Sequence, residues 1–219
     1  MRVLAIGAHP DDVELGCGGA LLRHVAQGDS VSILVMTTGQ RGTVGDTSRV
    51  HEQQDSARVL GVRLLWGGFE DGSVPSGPDA ITVIDRAVED SQAEVMYTHA
   101  AADTHQDHRS TAIASQAAAR RIGTVLCYET PSSQSFEPNV FVEIDDVLEA
   151  KLAALRSHWS QVLRAGPVDL EAITAQARFR GFQGRVQHAE AFESNRFVWN
   201  LGSRVESARP ATARLGIAR

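Results

Sequence analysis

The chain has 219 residues, 42% of them hydrophobic and 22% charged, which suits one packed domain and excludes wholesale disorder. Its formal net charge of −6 leaves no electrostatic footprint for nucleic acid or an acidic membrane surface. Two cysteines without CxxC spacing exclude a disulfide framework. No apolar run approaches the ~20 residues of a membrane span and no secretory pattern is visible, so a cytoplasmic location is expected.

Residues 3–8 form a short apolar run without polar alternation, as expected of a strand covered on both faces. A helix is expected over 13–27, with Gly28 at its end, and a second buried strand over 31–36. This order reads as a βαβ unit with a right-handed crossover. A polar, glycine-rich loop follows over 38–47, then a helix over 49–60 ended by Gly61, a strand over 62–66 and a loop over 67–72. Pro78 opens a helix to residue 90, at the position proline tolerates best, and 94–99 reads as a fourth strand.

Beyond a polar loop at 100–107, a helix is expected over 108–122, capped by Gly123, with strands over 124–128 and 140–144. One long amphipathic helix over 145–161, another helix over 169–180 and a strand over 190–199 complete the pattern. Such alternation argues an α/β fold with a mainly parallel sheet. A single domain over 1–202 is expected, followed by an arginine-rich tail, 203–219, that reads as a mobile or interaction arm.

Two polar clusters follow strands. Ala8-His9-Pro10-Asp11-Asp12 comes after the first, and Asp103-Thr104-His105-Gln106-Asp107-His108 after the fourth. In open α/β sheets ligands bind beyond the carboxyl ends of strands where the strand order reverses, so the clusters are expected to meet there. His9, Asp12 and His108 then supply two imidazoles and one carboxylate, leaving a fourth position for water. That is the donor set of a catalytic zinc, one Zn2+ per chain. Asp11 is the expected general base, His105 the group that protonates a leaving group, and Asp107 the partner that fixes one imidazole tautomer.

Blander readings cover single pieces. Asp11 three residues before Glu14 is also a capping-box pattern, and Gly16-Cys17-Gly18-Gly19 lacks the spacing of a dinucleotide loop. Capping, however, needs no histidine. His24 and His51 read as solvated or packing residues, His158 as structural, His99 as near the site but outside the cluster, and His188 as within reach of the pocket rim without being assigned to it.

These residues carry a family likeness. Ala8-His9-Pro10-Asp11-Asp12 with Glu14, Gly16, Gly18 and Gly19 resembles the opening motif of the zinc-dependent N-deacetylases called LmbE-like or PIG-L. His105-Gln106-Asp107-His108 resembles their second motif, His-Pro-Asp-His, with Gln106 in place of the usual proline. Thr38-Gly39-x-x-Gly42, Arg49-x-x-Glu52, Asp71-Gly72, Tyr128-Glu129 and Ala189-Glu190-Ala191-Phe192 extend the likeness to about residue 200, although Gln40 stands where many members have glutamate.

The resemblance implies a Rossmann-like three-layer fold with helices on both faces of the sheet. It also implies removal of an acetyl or other acyl group from an amide nitrogen, often on an amino sugar. It assigns zinc to His9, Asp12 and His108, the base to Asp11 and the acid or electrostatic role to His105, and it adds Arg49 and Asp71 as substrate contacts. Tyr128 is a candidate oxyanion donor. The expected partner is a small N-acylated molecule. The competing readings are an amidase acting on a thiol-conjugated sugar, a metal-storing or sensing protein, and a non-catalytic nucleotide-binding or regulatory domain. The helix over 145–161 and the tail offer surfaces for a homo-oligomer.

Overall fold

A computed structural model describes residues 1–42, 49–162 and 168–198. The tail from 203, and most of the polar loop before Arg49, lie outside the described residues. A seven-stranded sheet carries the fold, in the order β3-β2-β1-β4-β5-β7-β6. Its strands are β1 (Arg2–Gly7), β2 (Ser30–Thr37), β3 (Arg63–Phe69), β4 (Val95–His99), β5 (Thr124–Tyr128), β6 (Val140–Glu143) and β7 (Ala189–Arg196). The first five are parallel, while β7 runs antiparallel to both β5 and β6. The helices are α1 (Asp12–Ala26), α2 (Arg49–Leu60), α3 (Pro78–Ser91), α4 (Gln106–Ala118), α5 (Leu148–Arg156), α6 (Trp159–Val162) and α7 (Leu170–Gly184).

The apolar run at the N-terminus becomes β1 because both of its faces are covered. Val3 and Ala5 pack with Val13, Cys17 and Leu21 of α1, whereas Leu4 and Ile6 pack with Ile84 of α3 and Ala114 of α4. Each fully buried aliphatic side chain of this kind contributes about 1.5–3 kcal/mol. A third apolar cluster joins Ile144, Leu148, Leu152 and Leu155 to Ile173 and Ala177 of α7. The sheet is thus the middle of three layers, as the resemblance implies.

Strand order reverses between β1 and β4, which are direct neighbours with opposite outer flanks. The loops leaving their carboxyl ends therefore share one crevice. α1 ends as expected, with Gly28 at φ +79 where a side chain would be strained.

Three expectations need correction. β3 continues through Gly67-Gly68-Phe69, a stretch that reads as loop, because Gly67 lies against the neighbouring strand: a Cβ there would come within 2.8 Å of the Met36 Cα. The expected helix over 145–161 is two helices, α5 and α6, separated at Ser157-His158, where the backbone turns with i→i−3 hydrogen bonds. The Glu52 carboxylate stabilises that break by accepting from Ser160 N (3.0 Å) and Ser160 Oγ (2.8 Å). Finally, the helix after the second cluster starts earlier than expected, at Gln106, with His105 as its N-cap, and Ala119–Arg121 forms a separate 3-10 turn. Among the described residues no helix is long and apolar enough to cross a membrane.

Candidate active site

The two clusters meet at the β1/β4 crevice. A cavity of about 440 Å³ there is lined by His9, Asp11, Asp12, Arg49, Asp71, His105 and His108. Asp107 lies behind this wall, 0% exposed and bonded to His9. The eight residues expected to form the site are thereby brought together.

Asp12 is the hub. His9 Nδ1 lies 3.4 Å from one of its carboxylate oxygens, and His108 Nε2 lies 3.3 Å from the other. The far nitrogen of each ring faces a second carboxylate. His9 Nε2 is 3.1 Å from Asp107 and 3.2 Å from Asp71, and His108 Nδ1 is 3.1 Å from Asp103. These outer carboxylates are themselves held. Asp107 accepts from Gly72 N and Val74 N, Asp71 from Arg41 N, and Asp103 from His105 N, Thr130 Oγ1 and Ser133 Oγ. Carboxylate–histidine pairing of this type fixes ring tautomer and orientation in metal sites.

The charges follow the same pattern. Burial works against a charge on His9, yet Asp107 and Asp12 raise its pKa to about 9. Burial likewise opposes charge on His108, and Asp12 and Asp103 raise it to about 10. Burial would raise the Asp12 carboxyl, but His108 holds it well below the usual carboxylate range. Four buried carboxylates, Asp12, Asp71, Asp103 and Asp107, face these two imidazoles, a place where a dication would balance the charge. Two imidazoles and a carboxylate are also the donor set of a catalytic zinc, so the residues present fit a divalent cation. Among the described residues, donor atoms lie within 4.8 Å of one another in three sets: His9/His105/His108, Asp12/His99/His108 and His9/Asp71/Asp107. The expected triplet is not one of these sets as a whole; its members are joined through Asp12.

Asp11 stands at the start of α1 with φ 92 and ψ −25, in the left-handed region a non-glycine residue rarely adopts. Its side chain caps nothing, so the capping-box reading fails. Glu14 turns away from Asp11 and accepts instead from Gln53 Nε2 (2.7 Å) and Ser56 Oγ (2.6 Å) on α2. Burial pushes the Asp11 carboxyl up to about 6, against the pull of the Arg49 guanidinium, whose Nη2 donates to Asp11 Oδ2 at 2.9 Å. His105 Nδ1 accepts from Asp107 N (3.2 Å), which leaves the neutral ring's proton on Nε2. Burial and the charges of His108 and His9 lower the His105 pKa, favouring that neutral form.

His99 belongs to the site, contrary to its reading as an outsider. It is 1% exposed, lies 3.2 Å from Asp12 through Nε2, and stacks on His108 with ring centroids 4.1 Å apart. The available signal was its position as the last residue of a strand whose carboxyl end faces the crevice. Tyr128 cannot act as an oxyanion donor, because it is fully buried and its hydroxyl donates to Ile6 O (2.7 Å). His188 pairs with Asp145 and does not line the cavity. Arg49 lines the cavity, and its guanidinium also grips the Asp11 segment.

The family model described as "PIG-L: GlcNAc-PI de-N-acetylase" matches residues 4–119. An uncharacterized deacetylase, YaiS, from Escherichia coli K12 is 40% identical over 167 residues, spanning 72% of this chain and 90% of that protein. A diacetylchitobiose deacetylase from Thermococcus kodakarensis is 28% identical over 186 residues, spanning 73% of this chain and 70% of that one. Among solved structures, the conserved protein TT1542 from Thermus thermophilus superposes with a TM-score of 0.83 at 29% identity, covering 93% of this chain and 99% of that one. With its two motifs at one crevice and these matches along its length, the chain belongs to the PIG-L, or LmbE-like, family.

Proposed function

We propose that the chain is a metal-dependent N-deacetylase that hydrolyses the acetamide of an N-acetylglucosamine-type amino sugar or its conjugate. The observation that carries this is the pair of imidazoles facing the Asp12 carboxylate, backed by Asp103 and Asp107, with Asp11 beside them in one cavity. The names of the family model and of the Thermococcus relative support the substrate class. His9, Asp12 and His108 would hold Zn2+, which supplies Lewis acidity to the acyl carbonyl and the attacking water.

The protein's own groups do the rest. Asp11 takes a proton from the attacking water as the C–O bond forms, and its pKa near 6 suits a base working near neutrality. His105, neutral with its proton on Nε2, donates a hydrogen bond to the carbonyl oxygen as negative charge builds. Asp11 then returns the proton to the nitrogen as the C–N bond breaks, releasing acetate and a free amine. Asp107 and Asp103 keep His9 and His108 in the tautomers that direct Nδ1 and Nε2, respectively, toward Asp12.

The test is a panel of N-acetyl amino sugars and sugar conjugates assayed for free amine with Zn2+ present. Amine release that a chelator abolishes and Zn2+ restores is the expected result. Release from a thiol-conjugated sugar alone would favour the amidase reading. A protein that holds metal and releases amine from nothing in the panel would overturn the assignment.

A further inference from the structure

We propose that Gln53 and Arg49 are positioning residues that hold Asp11, through two of its own atoms and the carbonyl before it, in a conformation it would otherwise leave. This rests on the reading of Asp11 as the base. Asp11 sits at φ 92, where the Cβ of a non-glycine residue crowds its own backbone. Such a conformation persists only where the surroundings over-determine it.

The surroundings do so here. The Asp11 N–H donates to Gln53 Oε1 at 3.2 Å. Arg49 Nη2 donates both to Asp11 Oδ2 at 2.9 Å and to the carbonyl of Pro10. The carbonyl before the residue, its own N–H and its own carboxylate are thus all engaged by one helix. The clamp is itself braced. Gln53 Nε2 donates to Glu14 Oε1 (2.7 Å), which orients the amide so that its oxygen faces Asp11. Arg49 is 6% exposed, and the loop beside it carries glycine at 39 and 42, where an added Cβ would come within 2.8 and 2.7 Å of Arg49 Nη1. Both glycines thus leave the space the guanidinium occupies, and Gly39 also takes φ +66 with Pro10 Cδ 2.9 Å from where its Cβ would lie.

Positioning and substrate binding predict different kinetics. For Arg49→Lys and Gln53→Leu, the clamp predicts kcat reduced roughly 10- to 100-fold, the scale of a misplaced catalytic group, with KM within about twofold and zinc content unchanged. A raised KM with unchanged kcat would assign these residues to substrate and overturn the proposal. So would kcat that stays at the wild-type value.

A second measurement is independent of turnover. In a crystal structure of Gln53→Leu, or of Arg49→Lys if the first variant does not fold, Asp11 is expected to leave positive φ or its carboxylate to swing from the cavity. Asp11 unmoved in the variant crystal would sink the clamp even if activity fell. If the wild-type protein releases no amine from any substrate, the enzymatic reading fails, and the crystal comparison still decides whether α2 holds Asp11.

Discussion

Replacing Gly16 by alanine tests how α1 is seated on the sheet and, through α1, how Asp11 and Asp12 reach the site. A Cβ at Gly16 would lie 2.0, 2.4 and 2.7 Å from three atoms of the Tyr128 ring. Ordinary contact needs about 3.5 Å, so ring or helix must move by roughly 1.5 Å. The ring has nowhere to go: Tyr128 is fully buried and its hydroxyl is tied to Ile6 O. Overpacking of this kind costs about 3 kcal/mol, at the upper end of its usual range, and loss of the hydroxyl bond adds about 1. Removing a helix-interior glycine returns about 1 kcal/mol, leaving a net loss of about 2–3.

Gly18, two residues on, is the internal control, since a Cβ there meets Lys151 Cγ at 3.6 Å, Glu14 Cβ at 3.9 Å and Val13 O at 4.0 Å, all ordinary contacts. Gly18→Ala should therefore stabilise by about 0.5–1 kcal/mol. At about 2–4 °C per kcal/mol, thermal unfolding followed by circular dichroism should place Gly16→Ala roughly 5–10 °C below wild type and Gly18→Ala about 2 °C above it. Equal shifts for the two variants, or a Gly16→Ala protein as stable as wild type, would refute this account of how α1 packs.

Three further outcomes follow from the same structure. Asp103→Asn, which takes the charge from the partner of His108 Nδ1, should weaken zinc affinity about 10- to 100-fold in a chelator competition, while leaving the fold intact by circular dichroism. Lys151→Met strands the Glu190 carboxylate, which also accepts from Gly19 N and Ala20 N within α1. Both partners are 3% exposed, so urea unfolding should show a loss of about 3–5 kcal/mol. His158 reports on pH. Burial works against its charged form, but Glu14 and Asp11 hold its pKa above the ordinary value, with Arg49 opposing. A raised folded pKa gives stability that is fully present below about pH 6.5 and lost as pH rises through the folded value. The stability gap between wild type and His158→Gln should accordingly narrow as pH rises above about 6.5, and a gap that widens would contradict the sign.

The sheet and the meeting of the two clusters were legible because they rest on apolar runs and on a topological rule. β1 and β4 read as strands without polar alternation, and the reversal of order between them is what brings His9 and His108 together. The polar interior was not legible. On α2 the buried face runs Arg49, Glu52, Gln53, Ser56, Ala57 and Leu60, and its first four members carry no hydrophobicity to mark them. Its partners, among them Asp11, Glu14 and Ser160, lie 38 to 108 residues away in sequence. Local chemistry misled at Glu14, whose spacing from Asp11 suits a capping box while its carboxylate serves α2. Gly67 in β3 and the break between α5 and α6 likewise answer to neighbours distant in sequence, Met36 and Glu52.

The most direct test of the central claim is to locate the metal. Metal-free protein would be titrated with Zn2+, and the bound ion found in crystals by anomalous scattering, for wild type and His108→Ala. One ion per chain contacting His9, Asp12 and His108, with affinity lost in the variant, is the expected result. An ion seated instead between His9, Asp71 and Asp107, or a His108→Ala protein that binds zinc as tightly as wild type, would contradict it.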